Sequence, residues 1–270
     1  MILEKTIDFV NQIYKTQKIE PPRVTKVVIG LNYTGVEIKT HENVPFLGLA
    51  STLTNLKKKN DCSALKFSGN LTSKPLRELL NWCFELPNIK KIVGIATLNS
   101  VSQHVLSVIK PYKKLSENLV EFLRIDNHTA VTFIGLMKPL IRKVGRKTKL
   151  ITIVEDTIPV NKEFEKFNFK QSIQGLKSKE LSTDILICSG TTLLNDSIEK
   201  ILELFRKKAQ KIIILGPTAS ILPEILFTYG VDIIGGIKIN DLNAVFQVIQ
   251  EGGGTKLFKP YVEKYNLIKE

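Results

Sequence analysis

Along this chain of 270 residues, the spacing of hydrophobic and polar positions changes near residues 110–127. Before that point an amphipathic stretch is followed by short β-rich runs and then by helical patterns. The predicted order is a helix at 2–18, strands at 24–30, 36–39 and 44–52, and helices at 74–84 and 89–108. Strands grouped ahead of helices predict an α+β layout, in which an antiparallel sheet carries helices on one face.

After that point, apolar runs alternate with helical patterns. The runs lie at 130–134, 149–154, 184–188, 211–215 and 231–234, and the predicted helices at 137–146, 193–209, 221–229 and 241–251. The runs are apolar at successive positions, as strands covered on both faces are. This alternation predicts a doubly wound parallel sheet. Residues 155–183 are polar and lack a clear period, which predicts an irregular loop with at most short helices.

The chain is therefore predicted to be an α/β protein of two domains. A small α+β domain is expected at residues 1–110 and a Rossmann-like domain at 111–270. No apolar run approaches the roughly 18 residues of a membrane span, so the prediction excludes a membrane protein. The first residues include Glu4 and Asp8 and lack the apolar core of a secretory signal. We therefore expect a cytoplasmic protein.

The net charge of +13 raises the question of nucleic-acid binding. The first 110 residues hold 15 basic and 8 acidic side chains, and the rest hold 24 and 18, so the excess is spread evenly. No aromatic residues alternate with the basic clusters, as stacking platforms for bases require. Nucleic-acid binding is disfavoured, whereas a basic pocket for an anionic small molecule stays open.

Cysteines and histidines give no metal-binding pattern. Cys62, Cys83 and Cys188 stand far apart without a CxxC pair, which predicts buried free thiols. The three histidines are equally scattered, so no metal site is predicted.

Two segments combine one glycine with hydroxyl residues directly after a predicted strand. They read SGTTLLND from Ser189 and GPTASILPE from Gly216. Helix capping explains either segment alone. Because ligands of open parallel sheets bind beyond the carboxyl ends of the strands, two such neighbouring loops together favour an anion site. Asn195 follows in the predicted first turn of its helix.

Two further strand ends carry candidate residues. Gly135 follows the first strand of the predicted sheet, and Glu155 follows the second, where Rossmann-type folds often hold an acid for ribose hydroxyls. GxGxxG, Walker and GxSxG motifs are missing, so a dinucleotide fingerprint, a P-loop and a serine nucleophile are not predicted.

The sequence resembles a prokaryotic family known as putative heavy-metal chelation. The segments that carry the resemblance are HTAVTFIGLMKPLIRK, VEDTIP, TDILICSGTTLLNDSIEKILEL, IIILGPTASILPEILFTYGVDIIGGIKIND and EGGGTKLF, with VVIGLNYTGVEI, LGLAST and GIATLNSV towards the N-terminus. The resemblance implies a small domain like the N-terminal domain of enolase, followed by a Rossmann-like domain. Enolase chemistry does not follow from it.

The resemblance also implies a site between the two domains. Its cleft residues would be Gly135, Glu155, Gly190, Thr191, Thr192, Asn195, Gly216, Pro217 and Thr218, joined by Asn32, Thr34, Gly48 and Asn99. The roles suggested for the family are condensation or hydrolysis of small molecules related to pterins, flavins or siderophores, and a likeness to methyltransferases has been noted. Direct chelation of a metal by side chains is not expected here.

The leading hypothesis is an enzyme that acts on an anionic small molecule in the cleft, with Glu155 as the candidate acid or base. The alternative is a non-catalytic binding protein for a small molecule or metal complex. No cofactor is indicated by the sequence, so the cofactor is unknown. Base rates for oligomers favour a homodimer.

Overall fold

A computed structural model describes residues 1–53, 66–109, 112–156, 162–164 and 166–269. The helices are α1 Ile2–Thr16, α2 Leu76–Asn81, α3 Ile89–Val108, α4 Leu119–Phe122, α5 Lys138–Val144, α6 Ser178–Leu181, α7 Ile198–Phe205, α8 Glu224–Thr228, α9 Leu242–Gln250 and α10 Thr255–Phe258. The strands are β1 Arg23–Ile29, β2 Tyr33–Lys39, β3 Pro45–Ser51, β4 Val131–Ile134, β5 Ile151–Val154, β6 Asn168–Lys170, β7 Thr183–Ser189, β8 Ala209–Leu215, β9 Ile233–Ile239 and β10 Val262–Ile268.

Two sheets organise the described chain, and they confirm the predicted fold class. The first three strands form an antiparallel sheet in the order β1-β2-β3. The other seven form a sheet in the order β10-β9-β8-β7-β4-β5-β6, in which only β10 runs antiparallel to its neighbour. Residues 1–109 are called the N-terminal region below, and residues 112–269 the C-terminal region. The predicted domain boundary at residue 110 stays a prediction.

Helix α3 lies at the centre of the contact between the two regions. It is buried along almost its whole length, because its apolar residues cover all sides rather than one stripe. The helix packs on β2 and β3 and also against the turn that follows β8. Asn88 accepts a hydrogen bond from the N–H of Lys91 and so caps the start of the helix. Polar residues on α3 are therefore placed to reach the C-terminal region.

Hydrophobic packing continues from one region into the other. One core cluster includes Ile38 and Ile95 of the N-terminal region together with Cys188, Leu202 and Ile214 of the C-terminal region. All five side chains are buried. One of the three apolar clusters thus continues from one region into the other. Among the described residues, no helix has the length and apolar character needed to cross a membrane.

Two local predictions were wrong. The helix expected at 193–209 begins only at Ile198, because residues Gly190–Leu193 form a 3-10 turn and Asp196 has a positive φ of 58°. The loop expected at 155–183 contains a strand, β6, in its described part. The last segment, for which no element was predicted, forms β10 at the edge of the large sheet.

Candidate functional site

The order of the large sheet creates a switch point between β4 and β7. From β4 the chain proceeds outward to β5 and β6, then crosses back to β7 and continues outward to β8 on the other side. The loops after β4 and β7 therefore diverge, which is where ligands bind in open parallel sheets. Gly135 follows β4 with φ 104°, and a Cβ at this position would lie 2.8 Å from Cβ of Ser189. Only glycine allows this close contact.

Glu155 extends the switch point towards β5. Its Oε2 accepts a hydrogen bond from the N–H of Leu136, 2.7 Å away, so the carboxylate is fixed on the loop after β4. The N–H of Glu155 donates to the carbonyl of Lys170 over 3.0 Å, which holds the backbone in place. The other carboxylate oxygen accepts no hydrogen bond from the residues that the structure describes. The side chain is half-buried, so water or a ligand reaches it.

The turn after β7 presents two hydroxyl groups beside Gly135. Oγ of Ser189 accepts hydrogen bonds from the N–H of Thr191 at 3.4 Å and from its Oγ1 at 3.0 Å. Both residues are half-buried, whereas Thr192 is buried and donates to the carbonyl of Ser189 over 2.7 Å. Thr192 therefore stabilises the turn. We call Gly135, Glu155, Ser189 and Thr191 the switch-point cluster.

Ser189 belongs to this cluster although it was not among the predicted site residues. The available signal was its place as the last residue of a buried strand, directly before the glycine. The sequence could not show that its side chain would contact the loop after β4, because that contact depends on the order of the strands.

The turn after β8 packs against the turn after β7. A Cβ on Gly190 would lie 2.6 Å from the backbone nitrogen of Ala219, so the glycine is needed for the two turns to meet. Gly216 has φ 121° and precedes a 3-10 turn, Pro217–Ala219. The Thr218 hydroxyl is buried and accepts a hydrogen bond from the N–H of Ser51 at 3.0 Å. Thr218 thus joins the two regions.

Asn99 on α3 completes this junction. Its Nδ2 donates to the carbonyl of Leu49 at 2.7 Å and to the carbonyl of Thr218 at 3.1 Å. The side chain is fully buried, and its Oδ1 accepts no hydrogen bond from any residue in the described part of the chain. Gly48 lies beside it, since a Cβ there would be 2.1 Å from the N–H nitrogen of Ser100. Asn99 and Gly48 therefore lock β3 onto α3.

Three other predicted site residues belong neither to the switch-point cluster nor to the junction around Thr218 and Asn99. Asn195 is exposed, and its Oδ1 accepts hydrogen bonds from the N–H and the hydroxyl of Ser197. Thr34 is buried, with its hydroxyl 3.1 Å from that of Thr52. Asn32 lines a shallow pocket of about 360 Å³ and donates to the carbonyl of Gly252 over 2.6 Å. Each of these three side chains is therefore hydrogen-bonded within the protein.

The dipoles of helices α7 and α8 do not attract an anion to these two turns, because such a dipole acts only near the first turn of its helix. Helices α7 and α8 begin at Ile198 and Glu224, well after the hydroxyl residues, and both turns are 3-10 structures. Any attraction for a negative group at the cluster must therefore come from hydroxyl groups, backbone N–H groups and the overall positive charge.

Thiol and metal chemistry have little support among the described residues. Burial raises the pKa of the Cys83 thiol to about 12, although the positive charge of Lys91 acts to lower it. Burial also raises the pKa of the Cys188 thiol. Both thiols therefore stay protonated at neutral pH. Cys62 lies outside the described residues. No group of three or more His, Cys, Asp or Glu side chains within those residues is arranged to hold a metal ion.

Comparisons with known proteins give consistent matches over most of the chain. Two family profiles, both described as putative heavy-metal chelation, match residues 118–268 and residues 14–102. An uncharacterized protein of Methanocaldococcus jannaschii is 27% identical over 205 residues, which make up 72% of each chain.

Two crystal structures of proteins with unknown function, from the same family as the larger profile match, resemble the whole chain. The protein from Pyrococcus horikoshii is 25% identical, with a TM-score of 0.75 and coverage of 100% of both chains. The protein from Desulfitobacterium hafniense is 16% identical, with a TM-score of 0.71 and coverage of 99% of this chain and 98% of the other. The second likeness shows the fold alone.

Proposed function

The chain belongs to the putative heavy-metal chelation family, and from that premise we propose that it binds an anionic small molecule at the switch-point cluster. The observation that carries the proposal is the contact of Gly135 with Ser189 at the switch point, beside the half-buried carboxylate of Glu155. A ligand at this place would meet donors on one side and an acceptor on the other.

The two sides suit different parts of one ligand. The hydroxyl of Ser189 accepts two hydrogen bonds from Thr191, and its own proton is available for a negatively charged oxygen of the ligand. Glu155 would repel that oxygen, but its second carboxylate oxygen can accept hydrogen bonds from hydroxyl or ring N–H groups. The best match is a molecule with an anionic group at one end and hydrogen-bond donors at the other. Nucleotides have this character, as do those pterins, flavins and siderophore-like compounds that carry a phosphate or carboxylate group.

A more specific form of the proposal is that the protein catalyses a reaction of the bound ligand. Glu155 would act as a general acid or base in a condensation or hydrolysis, because one of its oxygens is fixed and the other faces the ligand. A link to heavy metals would then be indirect, through a small molecule that itself binds the metal.

A non-catalytic carrier is the second candidate. It is favoured by the fact that Glu155 is the one ionisable side chain of the cluster, while Thr192 and Thr218 are used in structural hydrogen bonds. A carrier needs no more than this, whereas most hydrolytic sites use a second acid, base or nucleophile.

Thermal-shift screening with pterins, flavins, nucleotides and S-adenosylmethionine tests the proposal. The expected result is a compound that raises the melting temperature of the wild type and binds at least about tenfold more weakly to Thr191→Val or to Glu155→Leu, which removes the acceptor oxygens. Glu203→Leu is the matched control, because it makes the same substitution at an exposed position of α7. A ligand that binds all variants equally would contradict the assigned site.

Mass spectrometry of the bound compound then separates the two candidates. If Glu155→Gln retains binding and loses conversion of the ligand, the protein is an enzyme. If the wild type binds tightly and returns the compound unchanged, also in the presence of water-soluble co-substrates, it is a carrier.

A further inference from the structure

A cavity of about 250 Å³ lies between the two regions at the β9–β10 edge of the large sheet, away from the switch point between β4 and β7. Strand β3 and helix α3 form one wall, and strands β9 and β10 form the other. None of the residues that line it belongs to the switch-point cluster. The cavity is therefore a separate feature of the molecule, and its role does not depend on the proposed function.

The walls of the cavity are mainly apolar. Phe46 and Leu106 contribute from the N-terminal region, and Leu242 contributes from the start of α9. All three side chains are only partly buried, so apolar surface faces the empty space. Apolar walls around a small cavity favour a ring or a short hydrocarbon group.

Four uncharged polar side chains line the cavity: Gln103, Ser107, Tyr112 and Tyr265. The hydroxyl of Ser107 donates to the carbonyl of His104 at 2.6 Å, and that of Tyr112 donates to Oε2 of Glu224 at 3.4 Å. Nε2 of Gln103 donates to the hydroxyl of Tyr265 at 2.9 Å and to the carbonyl of Ser220 at 3.3 Å. Burial raises the pKa of Tyr265 to about 12, so this hydroxyl stays neutral at physiological pH. Since Nε2 of Gln103 and the hydroxyl of Tyr265 have partners, an apolar ring can cover these two groups without leaving them unpaired.

Charged side chains also line the cavity, with one positive charge in excess. Lys238 lies opposite Glu263 in the register of β9 and β10, so their opposite charges are neighbours across the two strands. Lys114 is the remaining charged residue, and its backbone bridges to Leu267 of β10. Within the described part of the chain Lys114 forms no ion pair. The ammonium group of Lys114 is exposed and available to an anion.

We propose that this cavity binds a small ring-bearing molecule with a single negative charge, such as an aromatic carboxylate. A cavity of about 150 Å³ accommodates one benzene ring, so the present volume suits one ring or two fused rings. The rings contact Phe46, Leu106 and Leu242, and the carboxylate lies next to Lys114. The pocket recognises shape and one charge, with no metal or cofactor involved.

Isothermal titration calorimetry with 2-naphthoate and with its neutral analogue 2-naphthamide tests this assignment on the full chain. We expect 2-naphthoate to bind the wild type, and 2-naphthamide to bind about tenfold more weakly because it lacks the charge. Lys114→Gln is expected to weaken 2-naphthoate to the level of the amide and to leave amide binding unchanged. The matched control is Lys113→Gln, which removes the same charge from the neighbouring exposed residue outside the cavity.

A second variant tests the place of the rings. Leu106→Trp fills the cavity and is expected to abolish binding of both compounds, with a circular dichroism spectrum and melting temperature recorded to show that it folds. The assignment is overturned if 2-naphthoate does not bind the wild type, if Lys113→Gln weakens it as much as Lys114→Gln, or if a folded Leu106→Trp protein binds as the wild type does.

Discussion

Lys91 of α3 forms an ion pair with Asp196 in the segment before α7, and only the lysine is buried. The Lys91 side chain is 3% exposed, whereas that of Asp196 is 51% exposed. The pair therefore joins the two regions. The ammonium group of Lys91 is shielded from water, whereas the carboxylate of Asp196 is in contact with it. The two partners should respond very differently to mutation.

Asp196→Asn is expected to destabilise the protein by about 3 kcal/mol, because it leaves the Lys91 ammonium buried without a counter-charge. Lys91→Met should cost only about 1 kcal/mol, since water can solvate the remaining carboxylate. Asn tolerates the positive φ of 58° at position 196, so the backbone is not strained. Guanidinium unfolding of both single variants and the double variant measures the difference. Equal costs for the two single variants would contradict the unequal burial.

Gly135→Ala is expected to destabilise the protein by about 2 kcal/mol more than Gly69→Ala. Both glycines have positive φ, 104° and 88°, so alanine is strained at either position. At Gly69 a Cβ would meet nothing within 4 Å, whereas at Gly135 it would meet Ser189. The difference in free energy of unfolding between the two variants thus isolates the contact at the switch point. A difference near zero would mean that Ser189 moves aside freely.

Asn99→Asp should be the most destabilising change at the junction between the regions. It replaces a donor to two carbonyls with a buried carboxylate that faces them, at a cost of about 3 kcal/mol or more. Thr218→Val keeps the shape of its side chain and should cost about 1–2 kcal/mol, since it leaves the N–H of Ser51 unpaired. Urea unfolding measures both. The prediction fails if the valine variant is the less stable one.

Stability should fall as the pH decreases from 7 to 5, in part through His104. Burial lowers the pKa of His104 in the folded protein, and its ring nitrogen Nδ1 lies 2.9 Å from the hydroxyl of Tyr14. The unfolded chain, with an ordinary histidine pKa of about 6.5, therefore takes up the proton first. The contribution of neutral His104 to the free energy of unfolding is therefore complete above the unfolded pKa. It decreases as the pH falls towards the lower pKa of His104 in the folded protein.

The same pH series on two variants identifies the residue responsible. His104→Gln should show a smaller loss between pH 7 and 5 than the wild type, because the titrating group is gone. His128→Gln is the control, because the side chain of His128 is exposed. Parallel curves for the wild type and His104→Gln would exclude His104 as the source.

Helix α3 and five of the seven strands of the large sheet were predictable because their signals are local. The range predicted for α3, 89–108, equals that in the structure, since a long apolar stretch follows Asn88, which caps it. The start of α7 was predicted too early because Leu194 fits the helical period. In the structure Leu194 is buried at the end of a 3-10 turn, and Asp196 interrupts the helical backbone.

The roles of the hydroxyl groups could be predicted only in part. The sequence placed Thr191, Thr192 and Thr218 after adjacent strands, and these strands are adjacent in the structure. Whether each hydroxyl faces solvent or a backbone group depends on how the two regions pack. The N–H that binds Thr218 belongs to Ser51, 167 residues away along the chain, and no local pattern indicates this contact.

The continuous core has a consequence for how this protein can change in evolution. Ile38 and Ile95 share one apolar interior with Leu202 and Ile214, so neither half of the chain can exchange its partner without exposing the interior of the other. Gene fusion, recombination or loss that separated the halves would leave each with a large water-exposed apolar face, which favours aggregation. The two halves are therefore expected to be inherited as a single unit, and substitutions along their shared face to arise in compensating pairs.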